Sequence, residues 1–342
     1  MYTTTRKWAI LSIPIVFIIF CIGTSIGSSN INIIDTAQIL LHKIFSISLG
    51  DNINPKDVSI IWSLRVPRVL LAFLVGGSLA VSGSVVQSIL KNELASPYTL
   101  GVSSGASLGA GLVIILGVHI SFLGNLTLPL VGFLFGLFTV YGVIVFSSKI
   151  DKTMSNNTII LAGMVFSLFV NALLTTLTAL FSEDLKSISL WQMGSFAMKG
   201  FSAVKAIIPF CIIGLVGILI YTKEMDILTF GEEQAKAVGV NTTKVKKRLF
   251  IFSAILTGSA VALSGTIGFV DLIAPHIVRR IFGSKHSYVI PMSFVFGGSL
   301  MVITDLIART IVTPAELPVG AVTAIIGAPF FAYVYFSKGK RS

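Results

Sequence analysis

Hydrophobic positions in this chain fall in long unbroken runs, not in the three-to-four residue period of a half-buried helix or the alternation of a half-buried strand. Charge-poor stretches extend over Trp8 to Ile26, Val69 to Leu90, Thr99 to Val118, Leu128 to Phe146, Thr158 to Phe181, Ala206 to Tyr221, Leu249 to Val270, Val289 to Ile307 and Val319 to Phe336. A shorter tenth run, Leu272 to Ile281, is expected to begin with a proline turn. Runs of roughly 20 apolar residues match the thickness of membrane hydrocarbon. There every backbone amide must be satisfied within its own segment, so the runs predict helices even where Val, Ile and Phe favour strands. The expected fold is therefore all-α: a polytopic membrane protein in which residues 1–342 form one transmembrane domain of about ten helices.

Composition agrees. Apolar residues make up 54% of the chain, charged residues 11%, and the mean hydropathy is +0.93, which excludes a soluble fold. Ten spans use up the 342 residues and leave no room for a separate catalytic domain. Basic residues set the orientation. With the N-terminus inside, stretches 1–7, 91, 149–152, 223–248, 279–285 and 338–342 are cytoplasmic and hold 17 of the 25 Lys and Arg residues. Both termini are then cytoplasmic, and the pI of 9.7 reflects this asymmetry, not a nucleic-acid footprint. Arg6 and Lys7 before the first run resemble a signal peptide, but the run's length and the later spans favour an uncleaved helix. Cys21 and Cys211 lie in different spans and read as buried thiols, not a disulfide or metal pair.

Two connections are long: an outer segment Ser28 to Leu64 and a charge-dense inner one, Lys223 to Arg248. Leu74 to Val86 (LVGGSLAVSGSVV) echoes Leu256 to Gly268 (LTGSAVALSGTIG) on helices expected to run in opposite directions. That is the signature of an inverted repeat, although small-residue-rich helices also resemble one another by chance. Gly101, Gly105 and Gly109, and again Gly132 and Gly136, recur at four-residue spacing, which lets helix backbones approach closely.

The chemistry is sparse. No G-x-x-x-x-G-K-[ST] phosphate loop occurs, so the chain does not hydrolyse nucleotide by that route. His42, His119, His276 and His286 lack metal-ligand spacing, and the spans offer few acids beyond Asp271 and Asp305 to couple an ion gradient. Energy is expected to come from another subunit. Within LTFGEEQAKAVGV, Glu232 and Glu233 suit a first helical turn and Gly239 a stop, predicting a compact helix between two glycines that a partner could grip. On the outer side, Pro67 suits the first turn of the second span, with Arg65 and Arg68 at the water interface; Arg309 ends the ninth span. Interfacial anchoring explains such arginines, as does an intrahelical Asp305–Arg309 pair.

At this point the sequence resembles the FecCD-type permeases, membrane subunits of importers for iron siderophores, haem and cobalamin. The matching stretches are RVPRVLLAFLVGGSLAVSGSVVQ from Arg65, NELASPYTLGVSSGAS from Asn92, ILAG from Ile160 and WQMGS from Trp191. They continue with LTFGEEQAKAVGV from Leu228, LSGTIGFVDLIAPHIVRR from Leu263, DLIAR from Asp305 and AELPVGAVTAIIGAPFF from Ala315. They cover most of the chain beyond the first helix and its loop.

The resemblance implies the type II ABC importer permease fold, no cofactor, and no enzymatic activity in this chain, with hydrolysis on a separate subunit. It implies a second permease, identical or related, two cytoplasmic ATP-binding subunits, and an extracellular or periplasmic substrate-binding protein, all on a bacterial plasma membrane. Arg65, Arg68 and Arg309 are then expected to be exposed guanidiniums that dock carboxylates of the binding protein. Gly231, Glu232, Glu233, Gln234, Ala235, Val238 and Gly239 correspond to the helix that seats in the ATPase. Asn156 and Asn157 fall where the family places a cytoplasmic gate. Glu93 stands where the family commonly has proline, and nothing in the sequence accounts for it. The rival readings are an ion-driven secondary transporter and a structural membrane protein. A ferric siderophore is the expected cargo, with haem and cobalamin as alternatives.

Overall fold

The structure, a computed structural model, describes residues 2–27, 31–49 and 53–338. In chain order the helices are α1 Tyr2–Ser25, α2 Ile33–Phe45, α3 Pro55–Ser59, α4 Val66–Leu90, α5 Val102–Leu116, α6 Thr127–Ile150, α7 Asn156–Leu180 and α8 Leu185–Gln192. They continue with α9 Gly200–Leu219, α10 Thr222–Phe230, α11 Glu232–Ala237, α12 Thr242–Ser264, α13 Val270–Phe282, α14 His286–Thr310 and α15 Val319–Lys338. No strand occurs among the described residues. Six stretches there are long and apolar enough to cross a membrane, and α1, α5 and α15 supply shorter apolar ones. α13, at the place of the tenth expected run, carries Asp271, Arg279 and Arg280 and is not among them.

α4 is the axis of the bundle, and glycine sets its distances. A Cβ on Gly76 would lie 2.4 Å from the Gly297 carbonyl oxygen, and one on Gly83 would lie 2.0 Å from that of Asp271, so α14 and α13 touch α4 backbone to backbone. The two glycine series seen in the sequence face each other across α5 and α6. Gly105 lies against Phe135 and Thr139, and Gly136 against Val102. α4 and α12 pack antiparallel, as the internal echo requires, joined by Thr257 Oγ1 donating to Ser82 Oγ (2.7 Å) and Ser82 Oγ donating to the Ser253 carbonyl (3.0 Å).

Three expectations need correction. Residues 28–64 are not merely a loop: α2 lies there, and α3 runs through a π turn at Ile60–Arg65 straight into α4. Pro67 therefore lies inside a continuous helix. It lacks an amide hydrogen and crowds the preceding turn, and the turn before it is widened to i→i+5, with Val66 N–H bonded to the Ile61 carbonyl. The true first-turn proline is Pro55, behind an Asn54 cap that accepts from Lys56 N–H at 2.9 Å. The tenth span does not begin at a proline turn either, since Pro275 lies within α13. The break is at Gly265, φ +80°, where any Cβ would meet the Trp191 carbonyl oxygen at 2.2 Å.

Candidate functional site

The two ends of the bundle carry its polar chemistry, and they are called here the arginine end and the α11 end. At the arginine end α4 presents Arg68 to α14 and to the segment before α15. Its Nε and Nη2 donate to Asp305 at 2.8 to 3.1 Å, and Nη1 and Nη2 donate to Glu316 at 2.8 and 3.0 Å. Asp305 is 1% exposed and Glu316 39%. Glu316 lies outside the spans, and its hydrogen bonds from Arg68 hold its carboxyl below the usual glutamate range.

Arg65 and Arg309 are thus enclosed, and Arg68 is largely covered. Arg65 is buried and donates to the Thr24 and Ser25 carbonyls at the end of α1. Arg309 is buried, donates to the Gly23 carbonyl, and stands 3.8 Å from Asp305. The expected exposure fails for a physical reason: α1 ends with bare carbonyl groups beside α4 and α14, and guanidinium is the side chain with enough donors to satisfy them. The intrahelical Asp305–Arg309 pair exists but is the longer contact; Arg68 is the main partner of Asp305. Three guanidiniums against two carboxylates leave a positive balance around a cavity of about 340 Å³ that Arg65, Arg68, Arg309, Glu316 and Met198 line.

At the opposite end α10, Gly231 and α11 form a compact turn. Gly231 at φ +139° breaks the helix, Glu232 and Glu233 open α11, and Gly239 at φ +88° closes it, with Val240 N–H bonded to the Ala235 carbonyl. Ala235 is fully buried in a cluster with Met154, Met225, Leu228 and Leu249, while Phe230 and Val238 are exposed by 79% and 68%. Glu233, Gln234 and Gly239 lie on the exposed face with them. Phe230 and Val238 thus form an exposed apolar pair framed by polar residues.

Asn156 and Asn157 open α7. Asn157 is exposed, whereas Asn156 is engaged: its Nδ2 donates to the Leu90 carbonyl at 3.0 Å and its Oδ1 accepts from Lys246 at 3.1 Å. Lys246 also donates to the Met154 carbonyl and to Glu232. Nearby, His286 sits between Asp226 of α10 (2.6 Å) and Ser88 of α4 (2.7 Å). The turn before α7 is tied by Asp151, which accepts from Thr153 and Ser155, bonds that hold its carboxyl below the usual aspartate range. Glu93 now has an account: it lies 3.8 Å from His276 of α13 and faces the charge of Arg279.

Between the ends, two chain breaks meet. Tyr98 donates to the Ile267 carbonyl at 2.7 Å, and Ser96 donates to the buried Asp271. Among the described residues no group of three His, Cys, Asp or Glu side chains could hold a metal ion. Sequence reasoning missed Glu316, Lys246, Asp226 and His286. Each has a partner at least 60 residues away along the chain, and Lys246, inside the basic string KVKKR, carries no mark that sets it apart from its neighbours.

A bundle of apolar helices with interrupted spans and its ion-pair clusters gathered at the two ends is a multi-pass membrane protein. The chain belongs to the FecCD transport family, whose model matches residues 15–337. It is 41% identical over 323 residues to the ABC transporter permease protein YvrB of Bacillus subtilis, spanning 94% of this chain and 91% of that protein. It is 38% identical over 280 residues to the hemin transport system permease protein HmuU of Yersinia pestis, spanning 80% and 82%. A solved structure of a metal-chelate type ABC transporter in an inward-facing conformation superposes with a TM-score of 0.83 at 30% identity, covering 97% of this chain and 99% of that one.

Proposed function

We propose that the chain is the permease subunit of an ATP-driven importer that carries an iron chelate, a ferric siderophore, into the cell. The observation that carries this reading is the single helix running from Pro55 to Leu90: it bears the arginine cage near one end and ends beside the α11 turn. The α11 end faces the cytoplasm with both termini; one of two ATP-binding subunits seats against Phe230, Gly231, Glu233, Gln234, Val238 and Gly239, and the other against the second permease. A substrate-binding protein docks at the arginine end, where its carboxylates enter the cavity beside Arg68 with Arg65 and Arg309 behind. A second permease, identical or related, completes the path. α7 supports this, since it exposes Asn171 and Thr175 along a span that would otherwise meet only lipid. Asn156 and Asn157 form the inner gate at the start of α7.

Similarity to a hemin permease and to a metal-chelate transporter supports a metal-bearing cargo; the siderophore is the choice within that class. The transport reading is tested by uptake into proteoliposomes holding the permease pair, the ATP-binding subunits and the binding protein. Uptake that needs ATP and stops when residues 231–240 are deleted is expected; uptake driven by a proton or sodium gradient alone refutes it. The cargo is tested by quenching of the binding protein's fluorescence with ferric hydroxamate, ferric catecholate, haem and cobalamin. Tightest binding of haem or cobalamin refutes the siderophore.

A further inference from the structure

Lys246 is the most deeply buried cation of the α11 end, 1% exposed on the inner face of α12. An ammonium group taken out of water is retained only when oxygens replace its hydration shell. Three do so, from three different pieces of chain: the carboxylate of Glu232 at the start of α11, the Met154 carbonyl in the turn before α7, and Asn156 Oδ1 at the first residue of α7. The amide of Asn156 then reaches the last carbonyl of α4, at Leu90. Nothing else described joins α11 to α7 through polar contacts, and α11 itself is only six residues long, held to the bundle by Ala235.

We infer that Lys246 is the positioning residue through which displacement of α11 reaches α7. The inference rests on the proposed seating of an ATP-binding subunit on α11. When that subunit moves Glu232, the buried ammonium cannot stay behind without losing an anionic partner in a low-dielectric site, nor follow without drawing Asn156 and Met154 with it. A chain of hydrogen bonds to a buried charge therefore acts as a rigid link at the mouth of the proposed gate. Lys246 touches neither cargo nor nucleotide.

The test uses the complete complex in proteoliposomes, comparing wild type with Lys246→Met and Lys246→Arg. ATP-driven uptake by Lys246→Met is expected to fall about tenfold while ATP hydrolysis stays within about twofold, with Lys246→Arg recovering most of the uptake. A purely structural residue would lower both together. Spin labels at Lys236→Cys on α11 and Met164→Cys on α7, with Cys21 and Cys211 replaced by alanine, add a second readout. The label distance should be the same with and without ATP in wild type, and should change with ATP in Lys246→Met. Uptake retained within about twofold, or uptake and hydrolysis lost in equal proportion, overturns the inference while leaving the transport reading intact. If Lys246→Met does not assemble, Lys246→Gln, a neutral side chain that keeps a hydrogen-bond donor, decides in its place by the same split. ATP-independent uptake by wild type removes the reading itself, and the inference with it.

Discussion

Replacing Arg68 by methionine isolates the worth of the arginine cage. The change leaves Asp305, 1% exposed on α14, without its two-toothed partner, and the nearest remaining cation is Arg309 at 3.8 Å. Removing one member of a buried ion pair costs about 3 to 5 kcal/mol, because the other charge stays buried. Arg309 offsets part of this and Arg68 is not wholly enclosed, so about 3 kcal/mol is expected. At roughly 2 °C per kcal/mol for a chain of this size, the melting temperature should drop by about 6 °C. Cys211 is buried against Ser78, so in a background with Cys21 replaced by alanine its labelling by a thiol-reactive dye during a thermal ramp reports the melt. Replacing both partners, Arg68→Met with Asp305→Asn, removes the stranded charge and should recover at least half of the loss. A single variant that melts with the wild type, or a double variant less stable than the sum of the singles, would show that the cage does not hold α4 to α14.

Glu316→Gln releases one side of Arg68, and binding-protein affinity measured by surface plasmon resonance should rise about threefold or more at low salt, with the gain shrinking as salt increases. Because the Glu316 carboxyl lies below its ordinary value, its bond to Arg68 persists as pH falls through the usual glutamate range and is lost only below it, so wild-type docking should be flat from neutrality to about pH 5. Gly76→Ala places a methyl group 2.4 Å from the Gly297 carbonyl and should cost about 1 to 3 kcal/mol in the same thermal assay; an unchanged melt would contradict the close packing of α4 on α14. Val238→Asp, at a side chain 68% exposed, should abolish co-purification of an ATP-binding subunit while leaving the melting temperature unaltered.

The spans were legible because hydrocarbon admits so few solutions: ten apolar runs give ten helices whatever their β-branched content. Ends were read well where a local rule decides them, as at Gly231 and Gly239 around α11. They were misread where the cause lies far away. Pro67 looks like a helix start in one dimension, but an upstream π turn accommodates it. Val270 looks like the end of a span because the obstacle to continuing α12, the Trp191 carbonyl, comes from a segment 74 residues earlier than Gly265. The charges fared similarly. Arg65 and Arg68 stand out in any reading of LRVPR, but exposure is a property of the neighbours: without knowing that α1 ends beside them, nothing distinguishes a guanidinium offered to water from one closing a helix. Lys246 lies within KVKKR, where three neighbouring cations made it look like one more solvated charge.

The uneven covering of the helices divides the machine into frame and mover. The apolar part of the Pro55–Leu90 rod is 83% buried, and the rod is fastened by charge at one end and by Ser88 and Leu90 at the other; the corresponding part of α7 is 28% buried. A helix enclosed on nearly every side has nowhere to go, so it serves as the stator. In the proposed importer the travelling element is then α7, pinned where Gly163 meets the Thr99 carbonyl and sliding along its outer flank against the second permease.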